Sequence, residues 1–544
     1  MPVGFANITN WGAGKDVVLP AFAAFQAARV EFAQEVAKLA LPEGKGIASK
    51  NATSGTYEVD GSEKVLGALE ASFNLMPELR ALLTDVAPTV RENAMLAVGR
   101  LCGISDMLHG QVADPTLLDA TVSTISAGAQ PSLVVAAMYL LHAAVKSSSE
   151  IAHLAVERNA LGALCERLEE TDSQTKMAVV WCLSAIASHE QPLAAAVADA
   201  GALPLLLLCL KEHSLPLRRL TLSCLGTIAK HEQGLAEQVH KEGALTAALG
   251  LLSTCKDMLL RRQACRTLAL ATQHHDGALE WVPKKEHGAI VETMRMADPE
   301  TAAFAATLMQ QLAKKSSGVG ANFYELGAVP LLVNHMRTGG ASPASAAAAL
   351  AHVCDGSGEA AVAAVQLGAL EVIQPLLAAH APVPVCVVLS QCLGAMAHAD
   401  EKVAKAVDKS GCLQLVAEAT LLSKRKVGPA ARAVLRGGMG KALGKCNDYG
   451  VLVYLVEALP FSGPNCEAPI LAALLKALAR VLGAKGSLRL DFMQRGALSI
   501  AQQATKIASE ELKNALKTLN STFPNQMVAA TAPDYETKLL DKIV

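Results

Sequence analysis

At 544 residues the chain has the length of about three or four ordinary domains, yet half of it is hydrophobic and only 3% aromatic, so alanine, leucine and valine must fill its interior. Its 48 basic and 50 acidic residues leave a formal charge of −2, which excludes the global positive field of a nucleic-acid binder; any charge-driven contact must come from a local patch. Thirteen cysteines are scattered singly with no Cys-x-x-Cys, which argues against a disulfide framework or a zinc site and for a reducing compartment.

In chain order, Met1–Asp16 is small, polar and glycine-containing; it has no basic n-region, and Lys15 and Asp16 interrupt the apolar stretch, so no secretory signal is expected. We read residues 1–17 as an N-terminal extension. A helical run begins near Val18. Leu41–Glu63, rich in Gly, Ser, Thr and Lys, then interrupts it and predicts an inserted loop where a neighbour would touch. Degenerate units follow near Asn74, Thr116 and Asn159.

A clear signature then sets in. Gly-Ala-aliphatic steps stand at Gly201, Gly243, Gly288, Gly327 and Gly368, spaced 42, 45, 39 and 41 residues, with Gly411-Cys412-Leu413 43 residues later and a further step at Gly496. In one unit Gly201 supplies a corner and Pro204 sits just inside the next helix. Leu205–Lys211 forms a buried helix, His213–Pro216 breaks it, and a longer helix over Arg218–Lys230 repeats Leu220, Leu222, Leu225 and Ile228 at helical spacing. A short linking helix, Gly234–His240, leads to the next glycine. The long helices align on one another, with Leu183–His189 over Leu225–His231, Leu268–His274 and Leu393–His398. Three helices per unit of about 42 residues is the armadillo plan, whereas a two-helix HEAT unit has no such Gly-Ala step. The expected fold is all-α, a right-handed superhelical armadillo solenoid of roughly ten or eleven repeats over 18–522, with a further degenerate unit near Gly450 and a tail over 523–544.

Little in the array promises chemistry. Gly438–Cys446 resembles a phosphate loop but has the wrong glycine spacing and Cys446 where Ser or Thr would hold magnesium. His189, His231, His274 and His398 recur at the repeat period, so they lie on successive layers about 10 Å apart rather than around one point. They are expected to be polar ends of long helices near the negative dipole. No catalytic residue, cofactor or metal is predicted, and the chain is read as no enzyme. Its most apolar run, Gly201–Leu210, is too short to cross a bilayer, so no membrane contact is predicted.

One charged stretch stands out. Lys424, Arg425, Lys426, Arg432, Arg436, Lys441 and Lys445 occur with no acidic residue between Glu418 and Asp448. They form a candidate contact for an acidic partner such as a tubulin tail; without interleaved aromatics, nucleic acid is not expected. A smaller cluster comprises Arg218, Arg219, Lys256, Arg261, Arg262 and Arg266. Neighbouring repeats have no Trp at the place of Trp181 and its helix has no asparagine, unlike the ladder with which nuclear-import armadillo proteins grip basic peptides; it is read as a packing residue.

Three stretches go beyond a generic array: Val18–Phe32, with Phe22, Phe25, Gln26 and Arg29; Leu83–Leu101, with Asp85, Pro88 and Gly99; and Leu519–Val528 with Pro533–Leu540. All three resemble the sperm-associated antigen 6 family, armadillo proteins of the central pair of motile cilia and flagella. The resemblance implies a non-catalytic scaffold on the C1 microtubule of the axoneme, in a large complex with axonemal proteins, with tubulin and armadillo relatives among the candidate partners. Departures (the extra N-terminus, the 41–63 insertion, Ala529–Pro533 in place of an aromatic-rich segment, and the alanine run at Ala346–Ala349) point to a divergent paralogue. The alternative is a soluble armadillo adaptor, for transport or signalling, that binds linear peptides in its groove.

Overall fold

The computed structural model describes residues 15–39, 75–102, 115–127, 130–170, 172–273, 277–296, 298–338, 343–378, 382–422, 427–461 and 466–533. The predicted insertion at 41–63, residues 1–14 of the predicted extension and residues 534–544 of the tail lie outside these. Among the described residues every regular element is a helix.

The chain forms two compact units, Met1–Ala247 and Ala248–Val544. In the first, the long helices α1 (Lys15–Leu39), α2 (Pro88–Cys102), α3 (Pro131–Ser147), α4 (Ser173–His189) and α5 (Leu215–Ala229) pack in succession, each on the one before. In the second, α6 (Met258–Thr272), α7 (Pro299–Lys315), α8 (Pro343–Gly356), α9 (Val383–Ala399), α10 (Pro429–Lys445), α11 (Ala468–Ala484) and α12 (Glu510–Asn520) do the same. Short helices, such as Gln191–Asp199 and Ala202–Leu210, back each layer.

The unit built on Gly201 shows why the sequence folds this way. Gly201 takes φ +81°, a left-handed conformation that costs a Cβ-bearing residue energy, and turns the chain between its two short helices. The Ser214 side chain accepts the Leu217 amide and starts α5. Pro216 therefore lies in the first turn of α5 rather than breaking a helix, because a proline there gives up an amide hydrogen that has no acceptor anyway. Helix α5 then buries Leu217, Leu222, Cys224, Leu225 and Ile228, and each large side chain withdrawn from water contributes about 1.5–3 kcal/mol. The same left-handed corner recurs at Gly243, Gly327, Gly368, Gly411 and Gly496. Gly288 departs from it. There His287 opens a helix directly after a short 3-10 turn, Lys284–Glu286, and no left-handed residue is used.

Small residues decide how closely layers approach. Helices α9 and α10 cross where Gly394 meets Gly438: a Cβ on Gly394 would collide with the Gly438 carbonyl, and one on Gly438 would lie 2.6 Å from the Ser390 backbone. Gly438, singled out for its likeness to a phosphate loop, is thus a packing glycine inside α10. At the end of the array Phe523 is buried and stacks on Phe492, with ring centroids 6.0 Å apart. The first residue of the predicted tail is therefore part of the core.

Candidate protein-contact surfaces

The basic stretch is less uniformly positive in space than along the chain. Lys424, Arg425 and Lys426 lie outside the described residues. Arg436 donates from Nε to Glu467 Oε2 at 2.5 Å, and Arg432 lies 3.8 Å from Glu467 Oε1 while its Nε donates to the Val427 carbonyl. Glu467 is only 7% exposed, so these two guanidiniums serve as counter-ions to a nearly buried carboxylate. Lys441 donates to both oxygens of Asp355 at 2.9 Å, reaching from α10 past α9 to α8. Lys445 is exposed in the last turn of α10. The two carboxylates come from other layers, 31 and 86 residues away, which is why a window on the sequence shows only cations. In the smaller cluster Arg262 pairs with Asp298 at 2.7 Å and Glu300 at 2.5 Å.

Two of the periodic histidines join layers. His189 Nε2 donates to the Val145 carbonyl and His231 Nε2 to the Ala187 carbonyl, each at 2.6 Å and each spanning 44 residues. Both acceptors belong to the last turns of the preceding long helix, whose final carbonyls have no partner within their own helix. His274 lies outside the described residues. Among those residues no three His, Cys, Asp or Glu side chains come together as metal ligands, and no single helix is long and apolar enough to cross a membrane.

Trp181 is not a packing residue. It is 48% exposed and stacks on His142 of α3, with ring centroids 5.7 Å apart. His142 Nδ1 meets the Trp181 carbonyl at 3.2 Å. A carbonyl only accepts, so Nδ1 carries the proton, and partial burial lowers the imidazole pKa below its ordinary 6.5. Tyr139 holds the same position in α3 as Trp181 in α4. Its ring lies against Gly99, where a Cβ would come within 2.8 Å. Towards the helix N-termini this face opens into a groove of about 340 Å³ lined by Glu92, Leu96, Ser132, Val135, Asp172 and Gln174. Asp172 also accepts the Thr175 amide and hydroxyl at 2.8 Å, and these bonds hold its carboxyl below the usual range, hence ionised. The periodicity of Tyr139 and Trp181 was readable in the sequence, but the carboxylates beside them come from a cap and a neighbouring layer.

Two of the stretches that carried the family resemblance meet in space. Arg29 of α1 forms an ion pair with Asp85 and lies 4.7 Å from the centre of the Phe25 ring. Phe22, Phe25 and Phe32 of the same helix remain exposed, as does Val86.

No protein-family profile matches the chain, and no curated protein matches it. Solved structures do. An engineered protein from a structural-genomics programme superposes with a TM-score of 0.61 at 18% identity, over 82% of this chain and 98% of its own. The fold is an armadillo-like repeat solenoid. Designed armadillo repeat proteins also match: one has a TM-score of 0.40 at 18% identity over 43% of this chain and 99% of its own, and another, solved with the peptide (KR)4, has 0.41 at 16% over 44% and 99%. At these identities the likeness concerns fold.

Proposed function

We propose that this chain is a non-catalytic protein-binding scaffold of the ciliary or flagellar axoneme, acting on the C1 microtubule of the central pair through many modest contacts. A stack of helical layers offers side chains over a long surface, and a periodic lattice multiplies weak contacts into stable association. The observation that carries the axonemal part is the likeness of Val18–Phe32, Leu83–Leu101, and Leu519–Val528 with Pro533–Leu540, to the sperm-associated antigen 6 family. The layered armadillo-like fold carries the binding part.

The test compares detergent-extracted axonemes from normal cilia and from cilia lacking the central pair. Retention in the first and loss in the second is the expected result; equal retention in both would move the protein to the doublets or spokes. A second reading, the soluble adaptor, is favoured by the exposure of Trp181 and predicts complete release by detergent.

The basic stretch is assigned to an acidic surface of the lattice. Reversing Lys424, Arg425 and Lys426 to Glu should release the protein at lower salt, and an unchanged salt profile refutes the assignment. Arg432 and Arg436 are left out of that variant, because reversing them would strand the nearly buried Glu467 carboxylate and confuse release with misfolding.

A further inference from the structure

We propose that the exposed face of α2, α3 and α4 docks an extended segment of a partner protein bearing lysine or arginine. The Glu92–Asp172 groove takes the cation, and the Trp181 and Tyr139 rings support the neighbouring residues. This goes beyond the axonemal scaffold reading and holds whether the chain is built into a lattice or free.

Three features of the face argue for that occupant. The first is uncompensated charge. Glu92 is bonded to the Ser132 hydroxyl at 2.9 Å and Asp172 to Thr175, yet neither carboxylate has a basic partner among the described residues. Of the nearby cations, Lys176 pairs with Glu212 and Arg167 with Glu170, while Arg100, beside the Tyr139 hydroxyl, is turned to the Ala37 carbonyl rather than to either carboxylate. The second is the aromatic pair. Trp181 is nearly half in water while its stack and backbone bond to His142 hold it in place. A fixed, exposed indole is a face on which a guanidinium or the stem of a lysine gains attraction. The third is the mixture on the groove walls: Leu96 and Val135 are apolar, whereas Ser132 and Gln174 offer a hydroxyl and an amide to the backbone of an extended chain. The groove has room for one long side chain and no enclosed cavity for a small ligand.

The test uses the full chain and a fluorescein-labelled, end-blocked octapeptide of alternating lysine and arginine, followed by anisotropy, with a glutamate octapeptide alongside. The variants remove charge and keep shape. Glu92→Gln retains the Ser132 bond and Asp172→Asn retains a helix cap, so the double variant should melt as the parent does. Binding of the basic peptide should weaken about tenfold in the double variant and about tenfold in Trp181→Ala. It should fall as salt is raised from 50 to 300 mM and stay unchanged in Glu359→Gln, a carboxylate in the second compact unit. Failure of the basic peptide to bind, equal binding by both variants, or equal binding of the glutamate peptide overturns the proposal. So does self-association of the chain abolished by Trp181→Ala, which would make a second copy the occupant. None of these outcomes alters the axoneme comparison, so this inference and the scaffold reading fail separately.

Discussion

Asn159 stands at φ +59°, the only non-glycine residue in the left-handed region among the described residues, at the corner where later repeats place glycine. After glycine, asparagine is among the residues that tolerate that conformation best, because its short polar side chain can bond locally. Asn159→Ala should therefore cost about 1 kcal/mol by denaturant unfolding, and Asn159→Gly should change stability by only a few tenths. A sharper contrast lies at neighbouring positions of α10. Gly438 has no room for a Cβ, whereas Gly437 faces open space. Gly438→Ala should destabilise by about 1–3 kcal/mol through overpacking, and Gly437→Ala should stabilise by about 0.5–1 kcal/mol through helix propensity. Equal effects at the two sites would mean that α9 and α10 do not cross as closely as described.

At the scale of the element, the lesson concerns which partners a sequence reveals. The glycine corners and the long helices were legible because backbone conformation and apolar spacing are local properties. The histidine ends were legible as a period, but not as bonds, because their acceptors are main-chain carbonyls that leave no mark in residue type. At Gly288 the Gly-Ala step is present without the left-handed corner, because the 3-10 turn before His287 removes the need for one. The basic stretch shows only cations along the chain, while Glu467 and Asp355 reach it from other layers. His231→Ala should cost about 1 kcal/mol, the net worth of one hydrogen bond that leaves a carbonyl wanting. His231→Gln, which retains a donor, should recover part of that loss. If both variants match the parent in melting temperature, the bond to Ala187 contributes nothing.

Over the whole molecule, titration sets a limit on acid tolerance. His142, His231, His287, His335 and His352 all have pKa values pushed below 6.5, in each case chiefly by burial. The fold thus favours neutral imidazoles. As pH falls through about 6.5 the unfolded chain takes up protons that the folded chain rejects, so stability is full above that value and declines below it. Melting temperature should drop steadily from pH 7 to pH 5, and a flat profile over that range would refute the assignment. The thiols respond in the opposite direction: burial pushes Cys102, Cys224, Cys265 and Cys392 up to about 12. Alkylation of the native protein at pH 8 should therefore begin at the two partly exposed thiols, Cys255 and Cys466, and reach the others only on unfolding.

The contact that passes from α10 to α8 has a mechanical consequence. A stack of layers yields under load at the joints between them, and each joint normally hinges alone. Where Gly394 and Gly438 let two layers nearly touch, and Lys441 reaches Asp355 beyond the intervening helix, opening either joint also pulls on the other. That stretch is a splint: a bending force applied to this part of the solenoid is passed along to the softer joints on either side.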